Sequence, residues 1–87
     1  MKPINVVIVD DNQDSLEILE FFIGELKEFT IVDTCRTGEE LIDSVMKNEV
    51  ALVIADINMP GKNGMVAIKE CLEFSPSLKF IFVTGYN

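Results

Sequence analysis

The sequence has no histidine, and its two cysteines, Cys35 and Cys71, stand far apart without a C-x-x-C spacing. Protein zinc sites are built mainly from histidine and cysteine ligands at short, regular spacings. The sequence therefore argues against a zinc site. Because a free cysteine usually behaves as a small hydrophobic residue, we expect both thiols to be buried in a core.

Positive charge is also scarce. Seven Lys and Arg residues stand against 15 Asp and Glu residues, the formal net charge is -8, and no basic run occurs. Nucleic-acid binding needs clustered cations that neutralise phosphates, so we expect no direct contact with nucleic acid. The first apolar run is too short to cross a bilayer and ends in acids instead of a small-residue cleavage site. We therefore expect a soluble, cytoplasmic protein without membrane contact.

The length and the apolar content of the chain suit one small domain. The chain has 87 residues and is 48% hydrophobic. Domains of this size bury only about 60% of the surface that the unfolded chain exposes, so we expect modest stability. No internal repeat, low-complexity segment or linker divides the chain, and we treat residues 1–87 as a single domain.

Apolar runs of strand length alternate with segments of helical period, which is typical of parallel β-α-β units. We predict strands near Ile4–Val9, Phe29–Thr34, Leu52–Ala55 and Leu78–Val83. A first helix is predicted by apolar residues at three- and four-residue spacing, which we expect to form one buried stripe: Leu16, Leu19, Phe22, Ile23 and Leu26. A second helix begins at a capping box formed by Thr37 and Glu40. The third runs from about Gly64 until Pro76 stops it.

Three carboxylates stand at the ends of two of these runs. Asp10 and Asp11 close "NVVIVDD", and Asp56 closes "VALVIAD". The acids can meet only if strand one lies beside strand three, which gives the order 2-1-3-4 in a doubly wound parallel α/β sheet. The order then reverses between strands one and three, at the switch point where open α/β sheets bind ligands.

Carboxylates that share a pocket repel one another unless a cation neutralises them, and Mg²⁺ suits oxygen ligands of this kind. The loop after Asp56 reads "DINMPGKNG", in which Pro-Gly and Asn-Gly pairs mark turns close to the expected ion. Thr84 ends the fourth strand in "FVTGYN", at the same predicted sheet edge, where its hydroxyl is able to bind a phosphoryl oxygen. We therefore predict a magnesium and phosphoryl site.

Right-handed crossovers place helix one on one face of the sheet and helices two and three on the other. This leaves strands three and four bare on the side of helix one. Strand four, with the sequence "FIFV", becomes an unprotected edge that invites pairing. We expect the chain to lack part of a complete fold.

In "VVIVDDN", "DINMPGKNGM" and "IFVTGY", the chain resembles the receiver domain of two-component response regulators over essentially its whole length. The resemblance implies a flavodoxin-like receiver fold that is truncated after the fourth strand, without the fifth strand and the last two helices. It implies a signalling domain and not an enzyme. By this resemblance Asp56 accepts a phosphoryl group from the histidine of a sensor kinase, giving an aspartyl phosphate.

The same resemblance assigns roles to further residues. Asp11 and Asp56 would bind Mg²⁺ directly, and Asp10 would contact it through a water molecule. Asn58 would bind the ion through its backbone carbonyl. Thr84 would be the switch hydroxyl that moves to the phosphoryl group and shifts the population between inactive and active surfaces.

The sequence departs from the family in lacking the lysine of a fifth strand. Lys62 lies near the acceptor loop, but neither it nor Lys69 or Lys79 is expected to replace that lysine. We expect weak Mg²⁺ binding and poor phosphorylation, because a fixed cation contributes to phosphoryl transfer. By the same resemblance, Asn58 and Tyr86 occupy positions that tune how fast the phosphoryl group is lost.

Two other interpretations stay open. The chain can act as a dimerisation or interaction module with little phosphotransfer. In this case a homodimer or swapped dimer would cover strand four and the bare face.

A phosphatase of the haloacid dehalogenase type also forms an aspartyl phosphate at a strand end. That family has its nucleophile in an Asp-x-Asp pair, whereas Asp10 and Asp11 are adjacent, so we disfavour it.

Overall fold

Strands and helices alternate along the whole of the chain that the computed structural model describes, which is residues 2–56 and 64–83. The elements are β1 (Ile4–Val9), α1 (Gln13–Gly24), β2 (Phe29–Cys35), α2 (Gly38–Lys47), β3 (Leu52–Asp56), α3 (Gly64–Phe74) and β4 (Lys79–Val83). The predicted strands are confirmed to within a residue at either end. The third helix ends at Phe74, two residues before the proline that was expected to stop it.

The four strands form a parallel sheet in the order β2-β1-β3-β4, as predicted. In the β1–β3 register, Val9 lies opposite Ala55. The residue after each of these two is an acid, so Asp10 and Asp56 lie side by side at the carboxyl edge of the sheet. The register of the two central strands therefore sets the position of the site.

One face of the sheet packs against α2 and α3 in the larger of two buried clusters. Its members include alternate residues of the central strands together with residues of both helices: Val7, Val9, Val53, Ala55, Leu41, Val45 and Cys71. Alternation along β1 and β3 follows from the two-residue period of a strand. Most of the fully buried apolar side chains of the fold thus lie between the sheet and these two helices.

Both cysteine side chains are buried, as predicted, with 1% of each exposed. Burial, together with the nearby carboxylates of Asp33 and Glu40, raises the pKa of the Cys35 thiol to about 12. Burial likewise raises the pKa of the Cys71 thiol to about 11. Both thiols are therefore protonated at neutral pH and serve as packing groups.

The other face packs against α1 in a smaller cluster that includes Val6, Ile8, Leu16, Leu52 and Ile54. The prediction of one buried stripe was wrong for Phe22, which is 62% exposed, and for Leu26, which is 44% exposed and lies beyond the end of α1. Helix α1 lies against β1 and β2, so only its central line of apolar residues reaches the sheet. Its flank extends beyond the cluster and meets solvent.

The prediction that β3 and β4 are both bare on the α1 side is half correct. Ile81 of β4 is 51% exposed, as expected for an uncovered edge. Leu52 and Ile54 of β3 are buried, because they pack against Val6 and Ile8 of the neighbouring strand within the cluster under α1. The uncovered apolar surface is therefore concentrated at β4.

Side chains fix the points at which the first two helices begin. The Asn12 Oδ1 accepts a hydrogen bond from the Ser15 N–H at 2.9 Å, and the Thr37 Oγ1 accepts one from the Glu40 N–H at 3.1 Å. The predicted capping box is only half formed, because the Glu40 carboxylate accepts from the Arg36 N–H at 2.8 Å and not from the Thr37 N–H. Both caps lie at the carboxyl edge of the sheet, next to the acids.

Candidate metal and phosphoryl-acceptor site

Asp10, Asp11 and Asp56 meet at the carboxyl edge of the two central strands. Each offers a carboxylate oxygen, and these oxygens all lie within 4.8 Å of one another. Asp10 and Asp56 are 5% and 8% exposed, and Asp11 is half-buried. The structure thus brings together all three acids that the sequence singled out, at the switch point of the sheet.

Backbone hydrogen bonds hold Asp10 in the turn between β1 and α1. Its Oδ1 accepts from the Asn12 N–H at 3.0 Å, and its own N–H donates to the Cys35 carbonyl at 3.0 Å. The first bond ties the carboxylate to the start of α1, and the second ties the backbone to the end of β2. Asp10 is therefore fixed from two elements before any ligand arrives.

Burial raises the pKa of the Asp10 carboxyl above its ordinary value of 3.8. The hydrogen bond from the Asn12 N–H opposes this shift, whereas the charges of Asp56 and Asp11 add to it. A negative charge on Asp10 is thus disfavoured by both desolvation and like-charge repulsion. A bound cation would remove much of this cost.

Arg36 supports the site in a way that sequence reasoning missed. Its guanidinium donates a hydrogen bond to the backbone carbonyl of Asp11 at 2.8 Å. This contact joins the loop after β1 to the segment after β2, and it leaves the Asp11 carboxylate available. No sequence motif predicts this contact of Arg36. The role of Asn12 could have been predicted, because asparagine is a preferred cap residue directly before a helix.

Three residues that were assigned roles at the site lie outside the described residues: Asn58, Thr84 and Tyr86. Lys62, which was not expected to replace the missing lysine, also lies outside them. Lys79 is exposed and pairs with Leu52 at the start of β3, which is the opposite end of the sheet from the acids. Lys69 is an exposed residue of α3. Lys79 therefore cannot supply a cation to the carboxylates, as predicted.

The donor set of the site fits a hard cation. The three groups are carboxylates, and within residues 2–56 and 64–83 no sulfur or imidazole ligand belongs to the cluster. Mg²⁺ commonly binds through one to three carboxylates and keeps several waters, so these residues suffice to hold it and leave positions for a substrate oxygen. Asp10, Asp11 and Asp56 are the residues that would hold the ion.

A family model for the response regulator receiver domain matches residues 6–87. The chain belongs to the response regulator receiver domain family. Its curated relatives include a probable C4-dicarboxylate response regulator of Halalkalibacterium halodurans, which is 33% identical over 97% of this chain and 36% of the relative. A protein-glutamate methylesterase/protein-glutamine glutaminase of Methanococcus maripaludis is 32% identical over 88% of this chain and 21% of the relative. The chain thus spans well under half the length of these relatives.

Solved structures agree with this assignment. RcsB, a response regulator of Salmonella typhimurium, matches with a TM-score of 0.86 and 29% identity over 100% of this chain and 45% of that chain. The isolated receiver domain of the Salmonella enterica serovar Typhimurium protein, solved with the phosphomimetic BeF₃⁻, also gives a TM-score of 0.86, at 27% identity over 99% of this chain and 64% of that chain. The expected flavodoxin-like receiver fold is therefore confirmed.

Receiver domains are the signalling modules of two-component response regulators, and this chain is one of them. The methylesterase and glutaminase activities belong to the named relative. Among the helices of residues 2–56 and 64–83, none combines the length and the apolar character that a membrane crossing requires.

Proposed function

We propose that this receiver domain accepts a phosphoryl group on Asp56 from the histidine of a sensor kinase, with Mg²⁺ held by Asp10, Asp11 and Asp56. The observation that carries the proposal is the meeting of three carboxylates within 4.8 Å at the switch point of the sheet. The Asn58 carbonyl and the Thr84 hydroxyl complete the proposed site, as ligand and switch. Because the proposed phosphoryl donor is a sensor kinase, we expect the protein to act in the cytoplasm.

In the proposed reaction, a carboxylate oxygen of Asp56 attacks phosphorus and the phosphorus–nitrogen bond to the donor histidine breaks. The imidazole leaves with the bonding electron pair, and an acyl phosphate forms on Asp56. Magnesium, when bound, supplies positive charge to the phosphoryl oxygens. Asp10 and Asp11 provide fixed carboxylates on one side of Asp56, and Arg36 holds the Asp11 backbone in place. These contacts hold the residues beside the acceptor in place before the donor arrives.

Incubation of the protein with acetyl phosphate and Mg²⁺ should slowly add one phosphoryl group, because this small donor transfers its phosphoryl group without a partner kinase. A slow reaction matches the poor phosphorylation expected from the sequence. Intact-mass spectrometry should detect the adduct, and treatment with hydroxylamine should convert it into a hydroxamate at Asp56. The Asp56→Asn variant should lose the adduct completely. The Asp43→Asn variant is the matched control, since Asp43 is exposed and pairs with Lys47 on α2.

An adduct on another residue, or an unchanged adduct in the Asp56→Asn variant, would show that Asp56 is not the acceptor. A folded protein that takes no label at any Mg²⁺ concentration would contradict phosphoryl acceptance itself. Repeated turnover of a phosphate ester would instead support a phosphatase.

A second role, as a homodimerisation module, is favoured by the uncovered edge of the sheet. β4 has a strand partner on one side only among the described strands, and its Ile81 and Phe82 are 51% and 46% exposed. Such an edge can pair with a second copy of the chain, either directly or by exchange of elements. Phosphoryl acceptance and dimerisation are compatible.

Sedimentation equilibrium at several protein concentrations should show a mass that rises from monomer towards dimer. The Ile81→Lys variant should shift the protein towards monomer, because a charge at an apolar edge opposes pairing. Phe21→Ser is the matched control, since Phe21 is 64% exposed but lies on α1. A folded protein that stays monomeric throughout would contradict this role.

A further inference from the structure

A groove separates α2 from α3 on the face of the receiver domain opposite α1. The two helices pack side by side, and the groove between them encloses about 520 Å³. Val45 of α2 and Cys71 of α3 line its floor, and both are buried. The groove does not include any of the three site carboxylates, so it is a separate feature of the surface.

The walls of the groove are apolar and exposed. Met46 of α2 and Phe74 of α3 are 57% and 55% exposed, and Ile42 lies half-buried beside them. Large apolar side chains on the facing sides of two helices offer a hydrophobic channel of the kind that accepts a third helix. Methionine in particular adapts its shape to different partners.

The rim of the groove is negatively charged. Glu70 and Glu73 of α3 line it, and no basic side chain is among its described lining residues. Lys47 of α2 forms an ion pair with Asp43 at 3.0 Å within its own helix. The exposed Lys69 of α3 does not line the groove either. Glu73 forms no ion pair with any described residue, so the groove presents an apolar channel beside one uncompensated carboxylate.

We propose that this groove binds a cationic amphipathic helix of a partner protein. An apolar face of the helix would enter the channel between Met46 and Phe74, and Lys or Arg side chains on its border would meet Glu73. Charge argues against two other occupants. A second copy docked groove to groove would set Glu70 and Glu73 against the same acids, and an anionic lipid surface would also be repelled by them.

Fluorescence anisotropy with a labelled synthetic peptide of leucine and lysine, patterned as an amphipathic helix of about four turns, tests the proposal. We expect saturable binding that weakens with added salt. In a ¹⁵N-labelled protein, the amide shifts should concentrate in α2 and α3. A peptide with glutamate in place of lysine should not bind, because its apolar face is the same but its charge is reversed.

The Glu73→Lys variant should weaken binding by about tenfold or more, since it places like charges against each other. Met46→Ser should also weaken it, by removing a wall of the channel. Ile18→Ser is the matched control, because Ile18 is 56% exposed on α1, and it should leave binding unchanged. Circular dichroism and thermal unfolding should confirm that each variant folds.

Three outcomes would overturn the proposal. Unchanged affinity in both Glu73→Lys and Met46→Ser, with both folded, would exclude the groove as the binding site. If the glutamate peptide bound as tightly as the lysine peptide, the groove would not select a cationic helix. Association with phosphatidylglycerol vesicles, or self-association, that Met46→Ser abolishes would assign the groove to a membrane or to a second copy instead.

Discussion

Magnesium should raise the free energy of unfolding of this receiver domain by about 2.7 kcal/mol at a concentration one hundred times its Kd. The metal-free site concentrates three carboxylates within 4.8 Å, two of them buried, so the native state carries a repulsion that the unfolded chain relieves. A cation that binds only the native arrangement removes this repulsion. Urea denaturation at pH 7 with and without MgCl₂, at matched ionic strength, measures the effect.

The effect of the Asp10→Asn substitution on the free energy of unfolding should depend on whether Mg²⁺ is present. Without metal the variant should be more stable than the wild type, because the amide removes one buried charge, keeps an oxygen for the Asn12 N–H and can donate to Asp56. With Mg²⁺ it should gain much less than the wild type. Asp43→Asn is the control, since Asp43 lies on the exposed side of α2.

The stabilisation by Asp10→Asn should also depend on pH. The pKa of Asp10 in the folded protein is raised above 3.8, so the folded state holds the proton more tightly than the unfolded state does. The resulting penalty is absent below the unfolded pKa and grows as pH rises through the folded pKa. The variant should therefore gain little in acid and most at neutral pH. Equal gains at both, or no gain at all, would contradict the charge-repulsion account.

Leu41→Ala should lower the free energy of unfolding by about 2–5 kcal/mol, which is the usual cost of truncating a buried leucine. Leu41 is fully buried on α2, in the cluster that contains Val7, Val9 and Val53. Domains are typically stable by only about 5–15 kcal/mol, and a small one lies towards the lower end. The substitution should therefore leave a substantial unfolded population under mild heating.

Urea denaturation compares Leu41→Ala with Met46→Ala, a truncation on the same helix. Met46 is 57% exposed, so Met46→Ala should change the free energy of unfolding by no more than about 0.5 kcal/mol. The two substitutions change helix propensity by nearly the same amount but differ in how deeply the truncated side chain is buried. Similar losses in both variants would mean that α2 contributes through its own helical stability and not through the core.

The central strands were predictable because burial on both faces gives β1 and β3 long apolar runs, and the strand order was predictable because three acids have to converge. The exposure of Phe22 was not predictable in the same way. Helical spacing identifies an apolar stripe but not how much of its width a sheet will cover. Arg36 was missed for a related reason, since its bond to Asp11 depends on how β1 and β2 align.

The register that places Val9 opposite Ala55 makes the cation site a reporter of correct folding. A slip of one residue between β1 and β3 would turn one strand's buried side chains to the wrong face and displace Asp10 from Asp56 along the strands. A misaligned pairing of β1 with β3 therefore separates Asp10 from Asp56. Cation affinity thus discriminates the native pairing from its nearest competitors, and a ligand that arrives early in folding would select the correct sheet.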